Sequence, residues 1–314
     1  MAMLRTLGLL RRIKPSIVHC HSTKAGVVGR MCARMFGVPA VFTPHSFSFQ
    51  MAETGTRKRR VLVGIERALG RWTDRLAAVS ETERNLAVDE GVCPAARVAT
   101  IPNGVDLRIS DLAMSRREAI RRSLDVGEDQ PVVCFIGRFA PQKMPHLVVE
   151  SAEWLAGQGC RPLFWMMGNG PLEDEIKALA SNKGLDGQFR WLGWQAYNDA
   201  LAYLAASDIM LLPSRYEGLP YVALESQAVG TVPVLTRVPG SQDAVIADET
   251  GLLVPFDDVP ALGGAVLRLI ESPKERRRLA CAGREYVEGS FNALKMTQSI
   301  ESLYDDILRE RATA

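Results

Sequence analysis

Short apolar runs ended by glycine, proline or a polar turn alternate along this chain with longer stretches whose apolar residues recur at helical spacing. Ile17–His21, Val38–Thr43, Arg75–Val79 and Val98–Ile101 read as buried strands. Leu4–Arg12, Lys24–Phe36, Arg60–Trp72 and Thr82–Glu90 read as helices, the third with Val61, Leu62, Ile65, Leu69 and Trp72 at helical spacing. Residues 107–130 are polar and charged, without a strand, and read as a linker with a short helix. A second series follows: strands at Val132–Gly137, Leu163–Met167, Phe189–Leu192, Ile209–Leu212, Val232–Leu235 and Leu252–Val254, with charged helices over about 258–312. Strands that are apolar throughout and alternate with helices belong to parallel sheets covered on both faces, so the fold class is α/β.

The most informative stretch is Ile209–Gly230. An apolar strand stops at Pro213, a turn covers Ser214–Gly218, and Pro220 stands where a helix begins, its missing N–H harmless there. Tyr221, Leu224 and Ala228 are expected on one face of that helix. A helix start behind a strand presents unpaired N–H groups and a positive dipole end, which suit phosphate. Glu217 on the loop and Glu225, expected about two turns into the helix, cannot hold phosphate and suit sugar hydroxyls instead. One crevice holding a diphosphate between two polyols describes a nucleotide sugar; the alternative is one surface and one capping glutamate.

Other strand ends add candidates. Val132–Lys143 runs from a strand through a glycine turn to Arg138 and Lys143, a fork and a point charge suited to a diphosphate, or else a solvated Arg and a helix-start Lys. Phe164–Pro171 ends in a two-glycine turn that is either a nucleobase-contacting loop or an ordinary connection. It is not the G-x-G-x-x-G of dinucleotide enzymes, which argues against a dehydrogenase. His19 and His21 share a strand face and His45 follows the next strand; without a nearby Cys or carboxylate they read as a polar cluster at the sheet edge, with His45 near the chemistry, rather than a metal site. Phe47, Phe49 and Met51 alternate just before Arg57-Lys58-Arg59-Arg60. They read either as apolar tips beside a basic run, suited to an anionic membrane surface, or as a loop tucked into an interdomain cleft.

Charge sharpens this picture. The net charge of +2 hides an asymmetry: residues 1–106 carry 16 Lys and Arg against 8 Asp and Glu, and the remainder carries 22 against 28. Only the first half is suited to face anionic partners. Six cysteines without C-x-x-C spacing suit buried thiols in a reducing cytosol. No run approaches the roughly 18 apolar residues of a membrane span.

Together, the segments HCHSTKAG, TPHSFSF, AVSETER, IPNGVD, GRFAPQK, GNGP, PSRYEGLPYVALE and TGLLVP resemble the retaining GT-B glycosyltransferases of family 4, the group 1 transferases. Capsule, exopolysaccharide and lipid-linked glycan enzymes are the nearest in pattern. The resemblance implies two Rossmann-like doubly wound domains facing a cleft: 1–106 on the acceptor side, a linker at 107–130, a donor domain at 131–289, and a helix at 290–314 returning to the first. It implies a nucleotide diphosphate sugar as donor, a glycan or lipid-linked acceptor, and neither nucleic acid, cofactor nor metal. Arg138 and Lys143 would neutralise the diphosphate and backbone N–H groups around Gly218, Leu219, Pro220 and Tyr221 would cradle it. Glu217 would bind the transferred sugar, Glu225 the ribose, and the acceptor would enter past His45. Met144 and Asn169 stand where the family more often has Gly and Asp.

The family pattern opens with a strand and glycine-rich loop before the first segment here, so the N-terminal domain is expected to lack roughly 70 residues and to leave Ile17–His21 at a sheet edge. The competing readings are a non-catalytic nucleotide-sugar-binding remnant and a GT-B sugar-nucleotide epimerase.

Overall fold

A computed structural model describes residues 1–51 and 55–313, which divide into two units. The first comprises Met1–Asn103, Tyr216–Leu219 and Ala293–Ala314. Its elements are α1 (Ala2–Ile13), β1 (Val18–His21), α2 (Thr23–Phe36), β2 (Ala40–Thr43), α3 (Arg57–Gly70), β3 (Arg75–Ala78), α4 (Glu81–Asp89) and β4 (Val98–Thr100). All strand pairings are parallel, in the order β1-β2-β3-β4 among the described residues. Among the described residues β1 lies at the sheet edge, where it was expected, but of this strand, also read as buried, only Cys20 is buried.

On one side of this sheet Phe42 and Leu76 pack with Phe47, Phe49, Val63 and Val92. The two phenylalanines read as membrane or cleft contacts are therefore core residues, 1% and 0% exposed, stacked with centroids 4.9 Å apart. Residues 52–54 of that segment lie outside the described residues.

Helix α3 also differs from its apolar pattern. It turns Val63, Glu66, Leu69 and Gly70 inward, while Val61, Ile65 and, just beyond it, Trp72 are 55%, 43% and 40% exposed. Two contacts set this rotation. Glu66 pairs with Arg30 at 2.8 Å, both fully buried, with the guanidinium 3.8 Å from the Phe42 ring centroid. Gly70 presses on Val92, whose carbonyl oxygen is 1.8 Å from where a Cβ would stand.

The second unit comprises Gly104–Arg215 and Pro220–Asn292. It opens with α5 (Leu107–Met114) and α6 (Arg117–Ser123), so the polar stretch read as a linker with one short helix carries two. Arg117 and Arg121 anchor α6 to Asp208, and Arg121 also ties down the carbonyls of Gly127 and Gln130. Then follow β5 (Val132–Ile136), α7 (His146–Gly157), β6 (Leu163–Met167), α8 (Glu173–Asn182), β7 (Phe189–Gly193), α9 (Tyr197–Ala206), β8 (Ile209–Leu212), α10 (Tyr221–Ala228), β9 (Val232–Thr236), β10 (Leu252–Val254), α11 (Val259–Glu271) and α12 (Pro273–Ser290). Both α5 and α6 pack against α9.

The six strands are parallel in the order β10-β9-β8-β5-β6-β7. Read from β7, this is the doubly wound 3-2-1-4-5-6 order, whose direction reverses between β5 and β8. Phe135, Phe164, Trp165, Met166, Leu147 and Leu155 fill the core. The last helix, α13 (Ala293–Thr313), is counted with the first unit, where Leu303 and Ile307 cover Val41, Ala77 and Ile101 on the other face of the sheet.

Candidate functional site

In an open doubly wound sheet, ligands sit beyond the carboxyl ends of the strands where the winding reverses. In the second unit that point lies between the loops after β5 and β8. The two loops are joined, Arg215 N–H donating to the Gln142 carbonyl at 2.9 Å. Arg138 and Lys143 occupy the first loop, with the Lys143 stem 3.6 Å from the Cβ position of Gly137. Met144, where a Gly was expected, has φ 48°, so it keeps the left-handed backbone that favours glycine.

The loop after β6 presses onto the same place. Gly137 N–H donates to Met167 O at 3.0 Å and Phe139 N–H to Asn169 O at 2.9 Å. Gly168 has φ +126°, and a Cβ there would lie 2.0 Å from the Gly137 oxygen; one on Gly170 would lie 2.4 Å from the Phe139 oxygen. Both glycines are required by backbone-to-backbone contact. Beside them opens a cavity of about 300 Å³ lined by Gly137, Arg138, Gly168, Asn169, Trp194 and Gln195. Trp194 was not singled out from the sequence. Its signal is a large aromatic at a strand's carboxyl end, 70% exposed.

Helix α10 follows β8 and starts behind Pro220. Tyr221 is 42% exposed, off the buried face of Leu224 and Ala228 on which it was expected. Glu225 is the fifth helical residue, just over one turn in rather than two. Burial raises its pKa, and a hydrogen bond from Tyr197 opposes that rise. The Tyr197 phenol is in turn pushed up, by burial first and then by the Glu225 charge. Tyr197, at the start of α9, is a second residue that sequence reasoning missed.

The remaining candidates gather in the first unit, at the carboxyl ends of β1 and β2. His19 and His21 stack with centroids 4.2 Å apart. His19 shares hydrogen bonds with the Tyr304 hydroxyl at 2.6 Å and the Thr43 hydroxyl at 2.9 Å, and His21 shares one with His45 at 3.0 Å. Burial, then the neighbouring rings, lowers the pKa of His19 to about 4; burial, then His21, does the same for His45. These imidazoles are therefore neutral near pH 7. Among the described residues no three His, Cys, Asp or Glu side chains are arranged to hold a metal ion.

Tyr216–Leu219, counted with this unit, lies against His45. A Cβ on Gly218 would stand 2.9 Å from Ser46 N and 3.1 Å from the His45 carbonyl carbon, so only glycine fits. Ser80 Oγ donates to Gly218 O at 3.0 Å, and Asn103 Nδ2 donates to Leu219 O at 2.8 Å. Glu217, between anchored neighbours, is 7% exposed. His45 and Ser46 have φ 50° and 78°, a conformation held by Glu83, whose carboxylate accepts from Ser46 N–H at 2.7 Å and Val79 N–H at 2.9 Å. Ser80, Glu83 and Asn103 lie in the AVSETER and IPNGVD segments, but nothing in their spacing showed that they support this turn.

The structure thus groups Arg138, Lys143, Pro220, Tyr221 and Glu225 in the second unit, and Glu217, Gly218 and Leu219 with His45 in the first. Comparison with known proteins bears on both. Residues 116–286 match the family described as glycosyl transferases group 1, and residues 2–109 match glycosyltransferase family 4. The chain is 29% identical over 304 residues to UDP-Gal:alpha-D-GlcNAc-diphosphoundecaprenol alpha-1,3-galactosyltransferase of Escherichia coli, covering 96% of this chain and 78% of that protein. It is 30% identical over 331 residues to D-inositol 3-phosphate glycosyltransferase of Actinosynnema mirum, covering 98% and 79%. Anabaena HepE in complex with UDP-glucose shares the fold with a TM-score of 0.84 at 20% identity, covering 97% of this chain and 82% of that one. With two parallel-sheet α/β units, the second doubly wound, and family matches across both, the chain belongs to the group 1 glycosyltransferases.

Proposed function

We propose that this protein transfers a sugar, with retention, from a nucleotide diphosphate sugar to a lipid-linked or glycan acceptor. The observation that carries this reading is the meeting of the loops after β5, β6 and β8 at the winding reversal of the second unit, with two cations on one of them. A galactosyltransferase that uses UDP-Gal and a diphosphoundecaprenol acceptor is among the similar proteins, and HepE binds UDP-glucose, which favours a uridine nucleotide donor.

In this reading Arg138 and Lys143 hold the diphosphate and take up the charge that develops on it, together with the N–H groups at the start of α10. No metal is needed for that role. The cavity beside Gly168, Asn169 and Trp194 takes the base, and Glu225 accepts from the ribose hydroxyls. Glu217 accepts from the hydroxyls of the transferred sugar, and neutral His45 hydrogen-bonds the sugar or the incoming acceptor. The anomeric C–O bond to the diphosphate breaks as the acceptor oxygen bonds to the same face of that carbon. The acceptor's proton passes to the departing phosphate oxygen.

Calorimetry with uridine diphosphate tests this directly. Arg138→Gln or Lys143→Gln should weaken binding by roughly 1.5–3 kcal/mol, the range for hydrogen bonds to charged groups. Uridine binding should barely change. Glu217→Ala should keep uridine diphosphate affinity and lose turnover by about 100-fold or more. Equal losses for uridine and its diphosphate, or unchanged turnover in the Glu217 variant, would overturn these assignments.

A membrane contact is supported by α3, although not by the aromatics first considered. Its first turn carries exposed Arg57, Lys58 and Arg60 at the positive end of the helix dipole, an arrangement costly in water without an anion nearby. The adjoining outward residues are Val61 and Ile65. In this reading α3 rests on an anionic bilayer surface, the basic turn contributing about 1 kcal/mol per cation.

A further inference from the structure

A second charged cavity opens in the first unit, at the amino ends of β2, β3 and β4 and so at the opposite end of the sheet from His45. It measures about 380 Å³ and is lined by four arginines from four separate segments. Arg34 comes from the last turn of α2, Arg71 follows α3, Arg97 precedes β4 and Arg311 sits near the end of α13. Among the described residues Asp74 is the only acidic one in the lining.

That carboxylate is already engaged. One oxygen accepts from Ala40 N–H at 2.8 Å and the other from Arg311 at 3.3 Å. Arg311 also donates to Gly37 O at 2.6 Å, and Arg97 donates to Thr73 O at 3.0 Å. Among the described residues the guanidinium groups of Arg34 and Arg71 have neither a hydrogen bond nor an ion pair. Four like charges around one cavity with a single, already engaged counter-charge raise its potential, and an anion entering it would be attracted from four segments. Planar guanidinium forks match the oxygens of a phosphate group.

Trp72 contributes an apolar surface to the lining and is 40% exposed.

We propose that this arginine pocket is a binding site for a phosphate group, carried either by a small soluble ligand or by an anionic phospholipid whose chains lie against Trp72. The proposal does not depend on the donor reading, since no residue of this pocket belongs to the donor loops.

The test uses the full chain carrying Arg138→Gln and Lys143→Gln, so that the other cationic loop does not compete, with and without Arg34→Gln and Arg71→Gln. Pyrophosphate should bind in calorimetry and raise the melting temperature beyond sodium chloride of equal ionic strength. The Arg34/Arg71 pair should lower that affinity at least tenfold. In the absence of anion the same pair should melt no lower than its parent, because it removes mutual repulsion and breaks no bond.

Co-sedimentation with phosphatidylglycerol vesicles, against phosphatidylcholine, then identifies the source. Displacement from the vesicles by pyrophosphate, with weaker binding of the arginine pair, assigns a lipid headgroup. Pyrophosphate binding without either effect assigns a soluble phosphate. Pyrophosphate that acts only as ionic strength, or equally in both proteins, overturns the proposal.

Discussion

Replacing Gly168 by alanine gives a sharp test of how the second unit builds its cationic loop. The new methyl carbon would stand 2.0 Å from the Gly137 oxygen, whereas such carbons essentially never approach below 3.0 Å. The loops after β5 and β6 must therefore part by about 1 Å. Neither contact atom is the end of a flexible side chain, so the backbone itself has to move. Alanine at φ +126° adds conformational strain of about 1–3 kcal/mol, and overpacking adds about as much, for a total loss of roughly 2–6 kcal/mol. A displacement of about 1 Å in a positioning element typically costs about 100-fold, so uridine diphosphate affinity should fall by roughly 2–3 kcal/mol. Urea unfolding and calorimetry, with binding measured under conditions where the variant stays folded, read the two effects separately. Gly187→Ala is the control: nothing lies within 4 Å of its added carbon, its φ is not positive, and both quantities should stay within about 1 kcal/mol of the parent. Unaltered affinity in Gly168→Ala would refute the idea that this backbone contact positions Arg138.

Three further outcomes follow from the same geometry. Tyr197→Phe removes the hydrogen bond that restrains the Glu225 pKa, so that pKa should rise further; uridine diphosphate affinity should then decline at higher pH on the acid side, and coincident pH profiles would contradict a role for the ionised carboxylate. His19, unprotonated in the folded chain down to about pH 4 but protonated below about 6.5 when unfolded, should cost up to about 3 kcal/mol of stability as pH falls from 6.5 to 4. Urea unfolding of His19→Gln should show a flatter pH dependence than the parent, and an unchanged slope would refute that account. Glu66→Ala leaves Arg30 buried without its carboxylate partner and should destabilise by about 3–5 kcal/mol in urea unfolding; a loss under about 1 kcal/mol would mean that the pair is not what holds α3 in place.

Much of this molecule follows from local pattern alone. Parallel strands buried on both faces are apolar throughout, so β5, β6 and β8 stand out as unbroken runs, and parallel pairing requires helices to return the chain. The ends of such strands are where ligands bind, which made Arg138, Lys143 and Glu225 candidates by position. What the sequence could not determine depended on contacts between distant segments. Phe47 and Phe49 alternate beside a basic run as surface tips would, and only the space beside Phe42 and Val63 made them core. Val61 and Ile65 of the α3 stripe point outward because a buried ion pair with a residue 36 positions earlier, together with the close approach of Gly70 to Val92, sets the helix's rotation; hydrophobic periodicity carries no record of either. Tyr304 reaches His19 across 285 residues, and Arg34, Arg71, Arg97 and Arg311 meet at one cavity from four segments. Spacing along a chain governs which residues share a helix or strand face, whereas a site assembled from several elements exists only once the sheet and its helices have packed.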